Sequence, residues 1–161
     1  MTLSVGDALP QGQILKATEA GPETLDLADL GRGRVAIFGL PGAFTGTCTN
    51  AHMPSFVRNA DALRAKGVDR ILCLTVNDPF VAAAWARETG AFDAGIELLA
   101  DADASLTKAL GMEFTAPGVG LHDRCRRFSA LIEDGKFTRV NLEESAGQCS
   151  ISAGEALLAQ V

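Results

Sequence analysis

Val35-Ala36-Ile37-Phe38-Gly39-Leu40-Pro41-Gly42-Ala43-Phe44-Thr45-Gly46-Thr47-Cys48 is the stretch on which the fold turns. Its first six residues are a short apolar run closed by Pro41 and Gly42, which predicts a strand buried on both faces. The glycine-rich turn then leads into a different period. From Cys48 onward Met53, Phe56, Val57, Ala60 and Leu63 recur at helical spacing, with Arg58, Asp61 and Arg64 off that face. The spacing predicts a helix over 48–65 that Pro54 starts or kinks, so Cys48 stands where a buried strand turns into a helix.

Outward from this point strand and helix signals alternate. Residues 70–76 form a second buried apolar run, and Asn77-Asp78-Pro79 supplies a helix cap with proline in the first turn, predicting a helix through Trp85. A short strand is expected at 97–100, a short helix at 105–110, and a long glycine-containing loop at 111–123. Residues 128–133 and 136–142 flank Asp134-Gly135, a two-residue hairpin signal, and 153–160 reads as a closing helix. Crossovers first and an antiparallel edge later describe an α/β chain with a central mixed β-sheet flanked by helices, an order that suits a thioredoxin-like fold. With 161 residues and neither repeat nor linker, one domain spanning 1–161 is expected, large enough to build a core without staples.

Composition narrows the function. A hydrophobic share of 47% and a charged share of 21% are ordinary for a globular protein, and the net charge of −6 comes without any Lys/Arg run that could track phosphates. Nucleic acid and anionic membrane surfaces are therefore not expected partners. Met1 to Asp7 lack a basic segment followed by an apolar one, and no later stretch reaches the ~18 apolar residues of a membrane span, so a cytoplasmic location is expected. The four cysteines, Cys48, Cys73, Cys125 and Cys149, are too few and too irregularly spaced for a disulfide scaffold or a zinc ribbon. Most free cysteines are small buried hydrophobes, and each of these must be weighed against that role.

Cys48 departs from it by position. Unpaired N–H groups and the positive end of the helix dipole favour a thiolate at a helix entrance, and such surroundings raise the anionic population available to attack an electrophile. A reactive thiolate alone leaves peroxide reduction, acyl transfer and disulfide exchange open. The neighbours discriminate. Thr49, Asn50 and Ala51 follow Cys48, so the second cysteine of a Cys-x-x-Cys disulfide reductase is missing. The histidines are His52 and His122; His52 lies one turn along the same helix, beside Cys48 rather than across a cleft, as a hydrolase base would have to be. The Cys48/His52 spacing could seat two metal ligands, but no third or fourth is evident, and neither metal nor cofactor is expected. Peroxide cleavage asks for less: a thiolate in line with the O–O bond, polar groups for both oxygens, and positive charge for the departing oxyanion. Thr45 offers a hydroxyl, and Pro41 walls the pocket without adding an N–H.

Pro41-Gly42-Ala43-Phe44-Thr45-Gly46-Thr47-Cys48 resembles the Pro-x-x-x-Thr-x-x-Cys signature of the peroxiredoxins, in the form carried by their type II, or peroxiredoxin-5-like, subfamily. The likeness continues through His52-Met53-Pro54-Ser55-Phe56, Val76-Asn77-Asp78-Pro79-Phe80-Val81, Trp85, Leu99-Ala100-Asp101 and Arg127-Phe128-Ser129. Carried over, it implies that Cys48 is the peroxidatic cysteine, Thr45 the hydroxyl that contacts peroxide, Pro41 the shield of the thiolate and Arg127 the pocket arginine. Arg124 and Arg126 are expected to be exposed residues at a strand start. Gly46 departs from the many relatives with proline there, which bears on the rigidity of the turn.

The resemblance further implies thiol-dependent reduction of hydrogen peroxide and small organic hydroperoxides through a Cys48 sulfenic acid, in antioxidant defence and redox homeostasis. Cys149 matches the late resolving cysteine of animal-type relatives and Cys73 the second cysteine of plant-type ones. Cys149, in a loop, can move more easily than mid-strand Cys73 and is preferred. Glutathione, glutaredoxin or thioredoxin would close the cycle. Cys125 reads as a partly exposed bystander, and a homodimer packed near the active-site loops is a further implication. Two other readings stand beside this one: a non-enzymatic peroxide sensor, and a glutaredoxin-like disulfide reductase.

Overall fold

The computed structural model describes residues 1–161. The chain opens with a hairpin of β1 (Gln13–Thr18) and β2 (Gly21–Asp26) and a single turn, α1 (Leu27–Leu30). It continues through β3 (Arg34–Leu40), a π-helical turn at Cys48–His52, α2 (Met53–Ala65), β4 (Arg70–Thr75), α3 (Pro79–Thr89), β5 (Glu97–Ala100) and α4 (Ser105–Ala109). A small ribbon of β6 (Glu113–Ala116) and β7 (Leu121–Cys125) precedes the hairpin β8 (Phe128–Glu133) and β9 (Lys136–Leu142), and α5 (Gly154–Leu158) follows.

Seven strands form the central sheet in the order β2-β1-β5-β4-β3-β8-β9. Strands β3, β4 and β5 are parallel, while β1 and β8 join them antiparallel on either side. The parallel strands read as continuous apolar runs because helices or loops cover both of their faces. This is the thioredoxin-like α/β sheet expected from the order of elements. The antiparallel edge at β8 and β9 was anticipated, and Asp134 and Gly135 both carry positive φ, as a two-residue primed turn requires. The N-terminal hairpin supplies a second antiparallel edge.

The helix after the glycine-rich turn differs from expectation at its start. Instead of one α-helix over 48–65, the first turn is wide, with the Met53 N–H donating to the carbonyl of Cys48 five residues back. Pro54 accounts for it: the ring lacks an N–H and would crowd the Asn50 carbonyl in a regular turn. From Met53 the α-helix is regular and buries Met53, Phe56, Ala60 and Leu63 against one face of the sheet. Trp85 of α3 joins that layer, while Ile37, Leu72, Leu74, Phe128 and Phe137 fill the other face.

Three more segments depart from the sequence reading, the first being the hairpin of β1 and β2 with α1, which was not read as structure at all. Residues 111–123 are not a plain loop, since 113–116 pair with 121–125 in an irregular ribbon. Its residues are mostly half-buried or exposed, so no apolar alternation marks them as strands. The closing helix is α only over Gly154–Leu158, because the Gln160 N–H turns back to the Leu157 carbonyl in a tighter three-residue step.

Candidate active site

Cys48 is fully buried, in the first turn of the helical segment that follows β3. The turn between them is fixed by its own polar atoms. The Thr45 hydroxyl donates to the Gly42 carbonyl at 2.8 Å, and the Thr49 N–H donates to the Thr45 carbonyl at 3.0 Å, which starts the helix. Because its proton is committed to Gly42, the Thr45 oxygen presents lone pairs, an acceptor for an incoming O–H. Asn77 Oδ1, at the end of β4, accepts from the Ala43 N–H at 2.9 Å and ties the turn to the sheet. Phe44 takes a positive φ of 63° and projects into solvent.

Arg127 lies immediately before β8, whose antiparallel pairing with β3 delivers it across the sheet to the cysteine. Its side chain is buried, and Nη2 donates to Cys48 Sγ at 3.3 Å. Nη2 and Nε also donate to the Ala146 carbonyl, at 2.8 and 3.2 Å, and Nη1 donates to His52 Nδ1 at 3.0 Å. Of the five guanidinium N–H groups this leaves one on Nη1 for a ligand.

His52 completes the clamp. Its Nε2–H donates to the Ser152 carbonyl at 3.0 Å, which fixes the tautomer and leaves Nδ1 to accept from Arg127. Phe38 and Phe56 pack against the ring with centroids 5.1 and 5.7 Å away. Burial, then the neighbouring Arg127 charge, lowers its pKa to about 3 despite the opposing bond to Ser152. His52 is therefore a neutral acceptor, not a base for Cys48.

Of the residues the sequence singles out, Cys48 and Arg127 meet directly, and Thr45 and Pro41 lie on the turn that presents Cys48. Arg124 and Arg126 correct the expectation of exposed strand-start residues: both are half-buried, and Arg124, at the end of β7, donates from Nη1 to the Pro41 carbonyl at 2.9 Å. A Cβ on Gly42 would collide with this guanidinium, so the glycine makes room for the arginine. Cys125 is likewise not a partly exposed bystander; it is fully buried, and desolvation pushes its thiol far above the ordinary range. The alternation of half-buried Arg124 and Arg126 with buried Cys125 and Arg127 is the period-two signal that separates these neighbours. Cys73 is fully buried in β4, opposite Phe38 of β3 and Leu98 of β5, and its thiol is also raised by burial. Cys149 is half-buried in the 143–153 segment; burial raises its thiol, with Arg127 pulling the other way.

A buried cysteine at a helix entrance, clamped by an arginine from the adjoining strand of a thioredoxin-like sheet, defines a redox-active thiol protein. The family profile described as Redoxin matches residues 4–158. Peroxiredoxin-2C of Oryza sativa subsp. japonica is 44% identical over 97% of this chain and 96% of its own length. Peroxiredoxin-2E-2, chloroplastic, of the same plant is 43% identical over 98% of this chain and 72% of its own length. The crystal structure of reduced Prx3 in complex with hydrogen peroxide from Vibrio vulnificus superposes with a TM-score of 0.90 at 38% identity, covering 99% of this chain and 96% of that one. The chain belongs to the peroxiredoxins, on their type II branch, and is a thiol-dependent peroxidase, an oxidoreductase of antioxidant defence.

Proposed function

We propose that Cys48 is the peroxidatic nucleophile, with Thr45, Pro41 and Arg127 as its pocket and Cys149 as its resolving partner. The observation that carries this reading is the Arg127 Nη2 donor 3.3 Å from Cys48 Sγ, in a site from which water is largely excluded. A guanidinium there stands ready for the negative charge that moves onto oxygen as the O–O bond breaks.

The reaction follows from these positions. The Cys48 thiolate attacks the terminal peroxide oxygen, whose O–H is accepted by Thr45 Oγ1. The S–O bond forms as the O–O bond breaks, and the departing RO⁻ is held by the free Nη1–H of Arg127 until it takes up a proton as water or alcohol. Cys48 is left as a sulfenic acid. The Cys149 thiol then displaces water from that sulfur to form a disulfide, which an external thiol donor reduces. The hydrogen peroxide complex of the Vibrio vulnificus relative supports the choice of substrate.

Burial favours Cys149 over Cys73. Cys73 is 0% exposed between two sheet strands, and reaching Cys48 would require unpairing them, whereas Cys149 sits in a loop. Burial also argues against a disulfide reductase: with Cys48 0% exposed, a small peroxide is admitted more readily than a protein disulfide. Thioredoxin, glutaredoxin and glutathione are the donor classes, a homodimer is the expected assembly, and the cytoplasm is the proposed location.

Steady-state peroxide consumption with each donor in turn tests the cycle. Cys48→Ser should abolish turnover with all of them, and retained turnover would remove Cys48 from its role. After one equivalent of peroxide, peptide mass spectrometry without reductant should show Cys48 joined to Cys149. Glutathione on Cys48 with Cys149 still free would instead assign resolution to an external thiol.

A further inference from the structure

The 143–153 segment, beyond carrying Cys149, builds one wall of the peroxide site from its backbone. The Ala146 carbonyl accepts twice from Arg127, the Gly147 carbonyl accepts from the Thr47 hydroxyl at 3.3 Å, and the Ser152 carbonyl orients His52. Carbonyls in a segment without helix or strand hold a guanidinium in register only if the segment itself is pinned. Its anchor is Glu143. Oε1 of this buried carboxylate accepts from the Ser150 N–H at 2.6 Å, the Ser152 N–H at 2.9 Å and the Ser152 hydroxyl at 3.0 Å. The Glu143 N–H in turn donates to the Arg127 carbonyl at 3.0 Å, so both ends of the arginine residue are tied to the same loop.

We propose that Glu143 is a positioning residue for peroxide reduction: by clasping 150–152 it sets the carbonyls that aim Arg127 at Cys48. The inference rests on the proposed role of Arg127. It accounts for a buried carboxylate that touches none of the reacting atoms. Its hydrogen bonds also hold it ionised: although burial opposes the charge, the Ser150 and Ser152 donors outweigh it and lower its pKa.

A double-mutant cycle tests this, read by stopped-flow fluorescence of Trp85, whose Nε1–H donates to Thr49 Oγ1 beside Cys48. Glu143→Ala should slow oxidation by stoichiometric hydrogen peroxide by about 10- to 100-fold, the size of effect expected when a reacting group is misplaced by about 1 Å. In an Arg127→Ala background the same substitution should cost less than about twofold, since there is no guanidinium left to aim. Glu143→Gln, which keeps an acceptor oxygen, should recover most of the rate, and if the alanine variant does not fold, the glutamine variant's smaller loss must likewise vanish without Arg127. Equal losses in both backgrounds, or an unchanged rate in Glu143→Ala, would overturn the inference. If Arg127→Ala alone left the rate unchanged, the reading of Arg127 would fail first.

Discussion

At the residue scale the site is a set of hydrogen bonds with little slack, and His52 shows what they cost the fold. Its pKa falls from 6.5 in the unfolded chain to about 3 in the folded one, through burial first and Arg127 second. Below pH 6.5 the unfolded chain takes up a proton that the native state refuses. This contribution to stability is therefore complete above that pH and is lost progressively as pH falls toward about 3. Urea unfolding at pH 7 and 5.5 should show the drop, and His52→Asn, which does not titrate, should flatten it; an equally steep drop in that variant would contradict the assignment. Gly42→Ala should slow peroxide oxidation by displacing Arg124 from the Pro41 carbonyl, measured by the rate of Cys48 oxidation. The turn that carries Pro41, Thr45 and Cys48 was legible in the sequence because all three lie within eight residues between a strand and a helix. His52 and Arg124 were not read as parts of the clamp, since their partners are a guanidinium 75 residues away and a carbonyl 83 residues away.

At the element scale, legibility followed the strength of the local period. The runs that became β3, β4 and β5 and the Asp134-Gly135 hairpin were plain, because burial on both faces and a primed turn each leave a compositional mark. The β6–β7 ribbon leaves none, being short, irregular and largely unburied. The wide turn at Cys48 was signalled by Pro54 but not its form, which depends on a bond from Met53 five residues back. The cap of α3 was legible and can be checked. Asp78 Oδ1 accepts from the N–H groups of Phe80 and Val81, both at 2.9 Å, so Asp78→Ala should lower stability by about 1 kcal/mol, read from denaturant midpoints.

For the whole molecule, the sheet acts as the jig that brings distant residues to Cys48. Strand β3 carries the turn, its antiparallel neighbour β8 brings Arg127, and its parallel neighbour β4 brings Asn77 to the same end. Close approach of these strands matters: a Cβ on Gly39 would strike the Phe128 ring and the Cys125 sulfur, so Gly39→Ala should destabilise the protein by about 1–3 kcal/mol. The second-order rate constant for oxidation of Cys48 by hydrogen peroxide, measured in the wild type and in Arg127→Ala, tests the proposed chemistry most directly. The account predicts a wild-type rate orders of magnitude above that of a free cysteine thiolate and a loss of about 100- to 1000-fold without the guanidinium. A wild-type rate no faster than a free thiol, or one that Arg127→Ala leaves unchanged, would contradict it.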